Sequence, residues 1–224
     1  MKKSKIPIIL SAMLLFESAC FVYFVVKANN EVKELNDYVE YYSIQDQIAT
    51  NGKIYMIGNS LISNGSWNEL LNNQDVVNKG ISGITTMDAV MMADKLIPGR
   101  ADEVFIMLGV NDIKVSAPWD VAYVNYNSIL YSIKHFSPKT QINIISVLPV
   151  NFSEFLQYDI NNGEIENLNI ALAELCIKYD FNYIDCHSDF SNTNGELLKS
   201  LSTDGLHLNQ AGYEKLASWI IPHI

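Results

Sequence analysis

Five short, apolar, β-rich runs punctuate the chain from Lys53 onward, at 53–57, 75–78, 103–108, 141–148 and 181–185. Between and after them, apolar residues recur at helical spacing over 85–97, 119–136, 165–179 and 209–221, the first of these closed by Pro98-Gly99. Strands that are mostly apolar along their length have no solvent face to show. Separated by helices, they form a parallel sheet covered on both sides. In such α/β sheets a ligand binds beyond the carboxyl ends of the strands. Functional residues are therefore expected just after each run.

The bulk properties agree with one folded domain over 51–224. Of 224 residues, 49% are hydrophobic and 18% charged, which is too apolar for a disordered chain. The net charge is −10, and Lys2, Lys3, Lys5 and Lys27 all sit at the N-terminal end, so the remainder is more acidic still. A surface of that sign repels phosphate backbones, and nucleic acid is not an expected partner. Arg100 is the only arginine. Cys20, Cys176 and Cys186 do not make a disulfide framework. Cys176 and Cys186 read as buried thiols, with a bridge between them left open.

The segment 6–26 is apolar except for Ser11, Glu17 and Ser18, and lysines flank it on both sides. At 1.5 Å per residue a helix of that length spans roughly 30 Å, the thickness of a bilayer core. The leading lysines keep the N-terminus in the cytoplasm, so residues 1–28 are expected to be a transmembrane anchor with the folded domain outside the cell. A cleaved signal peptide, cut near Ala28, is the rival, although the apolar stretch is longer than a usual signal core. Residues 29–50 place Val32, Leu35, Val39 and Tyr42 at helical spacing and read as a stalk or linker helix.

Three strand ends and one loop carry the chemistry. Gly58-Asn59-Ser60 follows the first run, where glycine allows a tight turn that exposes a hydroxyl. Ser60 is a poor nucleophile unless a base removes its proton. Asn78-Lys79-Gly80-Ile81-Ser82-Gly83 follows the second run and offers the Gly80 backbone N–H. Gly109-Val110-Asn111-Asp112 follows the third and offers the Asn111 carboxamide. Asp204-Gly205-Leu206-His207, just ahead of the last helical stretch, sets a carboxylate three residues before an imidazole. An imidazole serves as general base near neutral pH when a partner fixes its tautomer and stabilises the imidazolium. His135, His187 and His223 make no ligand spacing with Cys or acidic residues, so no metal or other cofactor is expected.

The four blocks GNS, NKGISG, GVND and DGLH together resemble the SGNH hydrolases, also called GDSL-type esterases and lipases. The resemblance runs from about Lys53 to the C-terminus. It implies a three-layer α/β/α flavodoxin-like fold with a five-stranded parallel sheet, and ester hydrolysis through an acyl-serine. By position it implies Ser60 as nucleophile, His207 as base and Asp204 as its orienting partner, with the N–H of Ser60, the N–H of Gly80 and Asn111 as the oxyanion hole. Asn59 stands where the family usually has Asp, a position that supports the turn rather than the chemistry. The NKGISG block is similar to the NRGISG form of small esterases acting on acetyl groups.

Trp119, Tyr123 and Tyr126 follow the third block, and Phe152, Phe155 and Tyr158 follow the fourth run. Both stretches are expected to border the pocket, though packing accounts for many of these rings. The expected activity is hydrolysis of short-chain, acetyl, esters on a cell-envelope carbohydrate. A lysophospholipase or thioesterase, an acyltransferase of the same fold and a silent envelope scaffold are the alternatives, and the oligomeric state is left open.

Overall fold

The computed structural model describes residues 53–96, 101–152 and 160–224. The anchor expected at 1–28 and the stalk expected at 29–50 lie outside these residues, as do Pro98-Gly99, Phe155 and Tyr158. Among the described residues, no helix is long and apolar enough to cross a membrane.

Five parallel strands form one sheet: β1 (Ile54–Gly58), β2 (Val76–Asn78), β3 (Glu103–Met107), β4 (Gln141–Ile145) and β5 (Asn182–Ile184), in spatial order β2-β1-β3-β4-β5. Ile54 pairs with Glu103 and Gly58 with Met107, so β1 and β3 end level with each other. The chain leaves β1 first toward one edge and then returns past it toward the other. That reversal makes the carboxyl ends of β1 and β3 the crevice where ligands bind in folds of this order.

The helices are α1 (Ser60–Ser63), α2 (Trp67–Leu70), α3 (Thr86–Met91), α4 (Ala93–Leu96), α5 (Val110–Lys114), α6 (Trp119–Phe136), α7 (Asn162–Tyr179), α8 (His187–Phe190) and α9 (Gln210–Ile220). They divide between the two faces, and the strand pleat divides the core with them. Val104 and Ile106 point into one apolar cluster with Ile84, Ala122, Tyr126 and Leu168. Phe105 and Met107 point into the other, with Leu61, Trp67, Leu216 and Ile220. Successive strand side chains face opposite ways, so β3, buried on both faces from Val104 to Met107, has to be apolar over those four residues. This is the three-layer α/β/α arrangement with five parallel strands that the alternation of runs implies.

Several boundaries differ from the sequence reading by one to three residues; α7, for one, begins at Asn162 and not at 165. The stretch read as one helix over 85–97 holds two, α3 and α4, with Met92 as the C-cap of α3. The run 141–148 is strand only as far as Ile145, and the chain beyond it finds other partners. Cys176 and Cys186 are both free and buried, so the open question of a bridge is closed against it. The Cys186 thiol lies 3.4 Å from Ser146 Oγ. That of Cys176 faces the carbonyl of Asn182.

Candidate active site

Ser60 is the first residue of α1, two positions beyond the last strand residue of β1. Asn59 makes this turn possible, since its Oδ1 accepts the Leu61 N–H at 2.9 Å and so caps the helix. A carboxamide caps a helix as an aspartate does. Its NH2 half, however, is buried without a hydrogen-bond partner among the described residues, and an unmade bond of that kind costs stability. Gly58 has no room for a side chain, because a Cβ there would lie 2.6 Å from the Met107 carbonyl oxygen and closer still to Ile62.

His207 comes from the opposite end of the fold. The loop 202–208 is cross-braced by Ser202, whose Oγ accepts the Gly205 N–H at 2.8 Å and donates to the His207 carbonyl at 2.9 Å. Gly205 takes a positive φ of 88° inside this turn. Asp204 Oδ1 accepts the backbone N–H groups of Leu206 and His207 at 3.0 and 2.7 Å. Its other oxygen, Oδ2, lies 2.7 Å from His207 Nδ1. A carboxylate only accepts, so Nδ1 carries the proton and Nε2 presents a lone pair. That lone pair lies 3.0 Å from Ser60 Oγ.

Burial pushes the Asp204 carboxyl up, but the bonds from the His207 ring, the His207 N–H and the Leu206 N–H outweigh it. The group ends below the usual carboxylate range. It therefore stays charged wherever the imidazole can act as a base. Three residues thus form one line of donors and acceptors, from Ser60 to His207 to Asp204.

The two other residues read from the sequence follow the carboxyl ends of β2 and β3. Gly80 is in close contact with α1, the helix of Ser60, where a Cβ would lie 2.2 Å from Ser63 N. Its N–H donates to Asn78 Oδ1 at 2.9 Å. The N–H that the sequence offered as an oxyanion donor is thus already used by the Asx turn of its own loop. Asn111 lies in α5, buried, and donates one N–H to the Ile84 carbonyl at 2.9 Å. Its second N–H remains to donate elsewhere.

Some site-building residues were not singled out in the sequence. Asn78 donates to the carbonyls of Ile62, Ser63 and Gly65, which ties the second block to the end of α1. Asp112 accepts from both the N–H and the hydroxyl of Thr86, and Asn125 donates to that hydroxyl. Only the position of Asn78 and Asp112 inside two of the four blocks pointed toward them. Tyr126, expected near the pocket, is instead core: its hydroxyl accepts the Leu108 N–H and donates to the Leu108 carbonyl. Trp119, Tyr123 and Phe152 are partly buried against the same cluster.

Residues 56–215 match the model of the GDSL-like Lipase/Acylhydrolase family. The chain belongs to that family. It is a serine ester hydrolase of the SGNH type, in keeping with the resemblance of its four blocks. A solved structure from Streptococcus pneumonia, described as a platelet activating factor, shares 29% identity with a TM-score of 0.74, covering 86% of this chain and 97% of the other. A GDSL-like lipase from Bacteroides thetaiotaomicron aligns at 19% identity and TM-score 0.67, over 82% of this chain and 95% of its own. A mutant acetyl-xylooligosaccharide esterase from Geobacillus aligns at 19% identity and 0.61, over 78% and 94%. At 19% these last two speak to the fold alone. Among curated proteins, an Escherichia coli N-acylneuraminate cytidylyltransferase is 33% identical over 174 residues, which is 75% of this hydrolase but 39% of the cytidylyltransferase. One from Streptococcus agalactiae is 26% identical over 136 residues, 61% of this hydrolase and 31% of its own length. The hydrolase thus spans well under half the length of the curated relatives it matches.

Proposed function

We propose that this hydrolase removes short acyl groups, acetyl above all, from hydroxyls of a carbohydrate, with Ser60 as nucleophile, His207 as general base and Asp204 as its orienting partner. The observation that carries the roles is the unbroken line from Ser60 Oγ through the His207 ring to Asp204, at 3.0 and 2.7 Å. Nε2 takes the Ser60 proton as Oγ attacks the ester carbonyl. The carbonyl oxygen becomes an oxyanion, received by the Ser60 N–H, the second N–H of Asn111 and the Gly80 N–H once it turns from Asn78. Such donors are typically worth about 3 kcal/mol each. The imidazolium then protonates the departing sugar alcohol, leaving an acyl-serine. Water enters, gives its proton to Nε2 and attacks, and the acid departs as Ser60 regains its proton.

The carbohydrate rests on two supports. Part of the chain is kin to part of proteins named for N-acylneuraminate, an acid sugar, and an acetyl-xylooligosaccharide esterase shares the fold. O-acetylated N-acylneuraminate is therefore the first sugar ester to try. The lysines before the apolar segment 6–26 support an outward-facing, membrane-tethered enzyme, and fractionation with protease accessibility of intact cells tests that placement.

Labelling with a fluorophosphonate probe and mapping the modified residue tests the nucleophile. Modification is expected at Ser60, with loss of p-nitrophenyl acetate hydrolysis in Ser60→Ala. Wild-type turnover by that variant overturns the roles. A series of acyl chain lengths and acetylated sugars tests the substrate, and a preference for long-chain esters overturns the acetyl reading.

A further inference from the structure

Beyond β4, residues 147–150 belong to no strand, yet the backbone of Val147 and of Val150 is paired. Asn169 Oδ1 accepts the Val147 N–H at 2.8 Å, and Asn169 Nδ2 donates to the Val147 carbonyl at 2.9 Å. Three residues on, Asn162 repeats the arrangement: Oδ1 accepts the Val150 N–H at 2.9 Å and Nδ2 donates to its carbonyl at 2.8 Å. Asn162 and Asn169 lie seven residues apart on α7. Seven helical residues rise about 10.5 Å, and three residues of chain reach at most about 10–11 Å. The two repeats match, so one helix face supplies both carboxamides in the way a neighbouring strand would supply two peptide groups.

What this segment holds is the base. The next residue, Asn151, is fully buried, and its backbone N–H donates to the carbonyl of Gly205 at 2.8 Å, inside the loop that carries Asp204 and His207. Its carboxamide donates to the Leu197 carbonyl at 2.9 Å. Asn162 also reaches across, donating to the Gly195 carbonyl at 3.0 Å. Three bonds from two adjoining asparagines therefore set the height of the segment 195–205 over the sheet, while α7 fixes the asparagines.

We infer that Asn151 and Asn162 are positioning residues that set the distance between the His207 imidazole and the Ser60 hydroxyl, a conclusion that rests on the roles proposed above for those two residues. Neither asparagine touches the reacting atoms. Their carboxamides act from upstream of the Asp204–His207 loop, on the carbonyls of Leu197 and Gly195, while the Asn151 N–H that meets Gly205 is backbone and stays in any variant. Asn169 holds only Val147 and the His187 side of the fold. Misplacing a catalytic group by about 1 Å can cost on the order of a hundredfold in rate. The loss should fall on the step that His207 assists, not on binding.

The test compares wild type, Ser60→Ala, Asn151→Ala, Asn162→Ala and Asn169→Ala in the full chain. The readouts are kcat and KM for p-nitrophenyl acetate, the second-order rate of fluorophosphonate labelling, and the melting temperature. Asn151→Ala and Asn162→Ala are expected to lower kcat and the labelling rate in parallel, by about tenfold to a hundredfold, with KM within about twofold. Asn169→Ala is expected to melt earlier but keep the wild-type kcat. Wild-type kcat and labelling rates in Asn151→Ala and Asn162→Ala, with Ser60→Ala inactive, overturn the inference and leave the triad standing. Loss of both rates in Asn169→Ala to the same degree also overturns it, since general loosening would then explain the effect. Labelling that persists in Ser60→Ala overturns the triad instead. If Asn151→Ala does not fold, Asn162→Ala decides by the same criteria.

Discussion

The backbone of Ser63 occupies the space that any side chain on Gly80 would need. A Cβ at position 80 would lie 2.2 Å from Ser63 N, 2.6 Å from Ser63 Cα and 2.8 Å from the Ile62 carbonyl carbon. None of these atoms belongs to a flexible side chain. Gly80→Ala must therefore push α1, which carries Ser60, away from the second block. We expect kcat for p-nitrophenyl acetate to fall on the order of a hundredfold and stability to drop by about 1–3 kcal/mol. Steady-state kinetics and a denaturant melt check both.

Asp204 does two jobs with two oxygens. One accepts the turn's N–H groups and the other accepts His207 Nδ1. A carboxamide in its place has a single good acceptor for both, so Asp204→Asn should leave either the turn or the imidazole unserved. By analogy with the loss of the aspartate in other triads, kcat should fall by roughly 10⁴. Because the Asp204 carboxyl sits below its ordinary range, its contribution to stability is present above the unfolded carboxyl value and is lost as pH falls through the folded one. Protonation of Asp204 should therefore leave no mark on kcat/KM until the pH falls below the ordinary carboxyl range. A pH–rate profile extended to about pH 4, the ordinary carboxyl range, measures this.

Asp112 shifts the other way. Burial pushes its carboxyl up, and the bonds from Thr86 only partly oppose that. An acid with a raised folded value binds its proton more tightly when native, so stability falls as pH rises from the unfolded value, about 3.9, through the folded one. Asp112→Asn removes the titration. The stability of wild type relative to this variant should decline as pH rises from about 4, as read by denaturant titrations at several pH values. A constant difference between the two proteins across that range would refute the assignment.

Burial pushes the thiols of Cys176 and Cys186 up to about 12. The thiolate is the reactive form, so neither should be alkylated in the native protein at about pH 8, near the ordinary thiol value. Both should react once denaturant is added. Mass spectrometry after iodoacetamide treatment, with and without guanidinium, gives the count at each site.

The sheet was legible because its strands are buried on both faces, which leaves an apolar run that no loop imitates. Three of the four blocks stood out because they follow strands, where such a sheet binds its ligands, and the fourth by its carboxylate three residues before an imidazole. What escaped has a common cause. The run 141–148 outlasts its strand because β5 stops at Ile184 and the carboxamides of Asn162 and Asn169 take over the pairing. Periodicity registers apolar side chains and does not see an asparagine standing in for a neighbouring strand. The helices α1, α5 and α8 are only four or five residues long, too short to show a period. Asn78 and Asn151 look in the sequence like ordinary polar loop residues, and only the carbonyls they meet reveal their work.

Ser60 and His207 are 147 positions apart, with every crossover of the sheet between them. On the roles proposed here, a ribosome that has already delivered the hydroxyl must still make four more strands before it delivers the imidazole. Until then the growing polypeptide carries a serine no more reactive than any other. The esters and amides it meets during synthesis are spared, because the enzyme is armed only once the far end of the chain has folded back on its beginning.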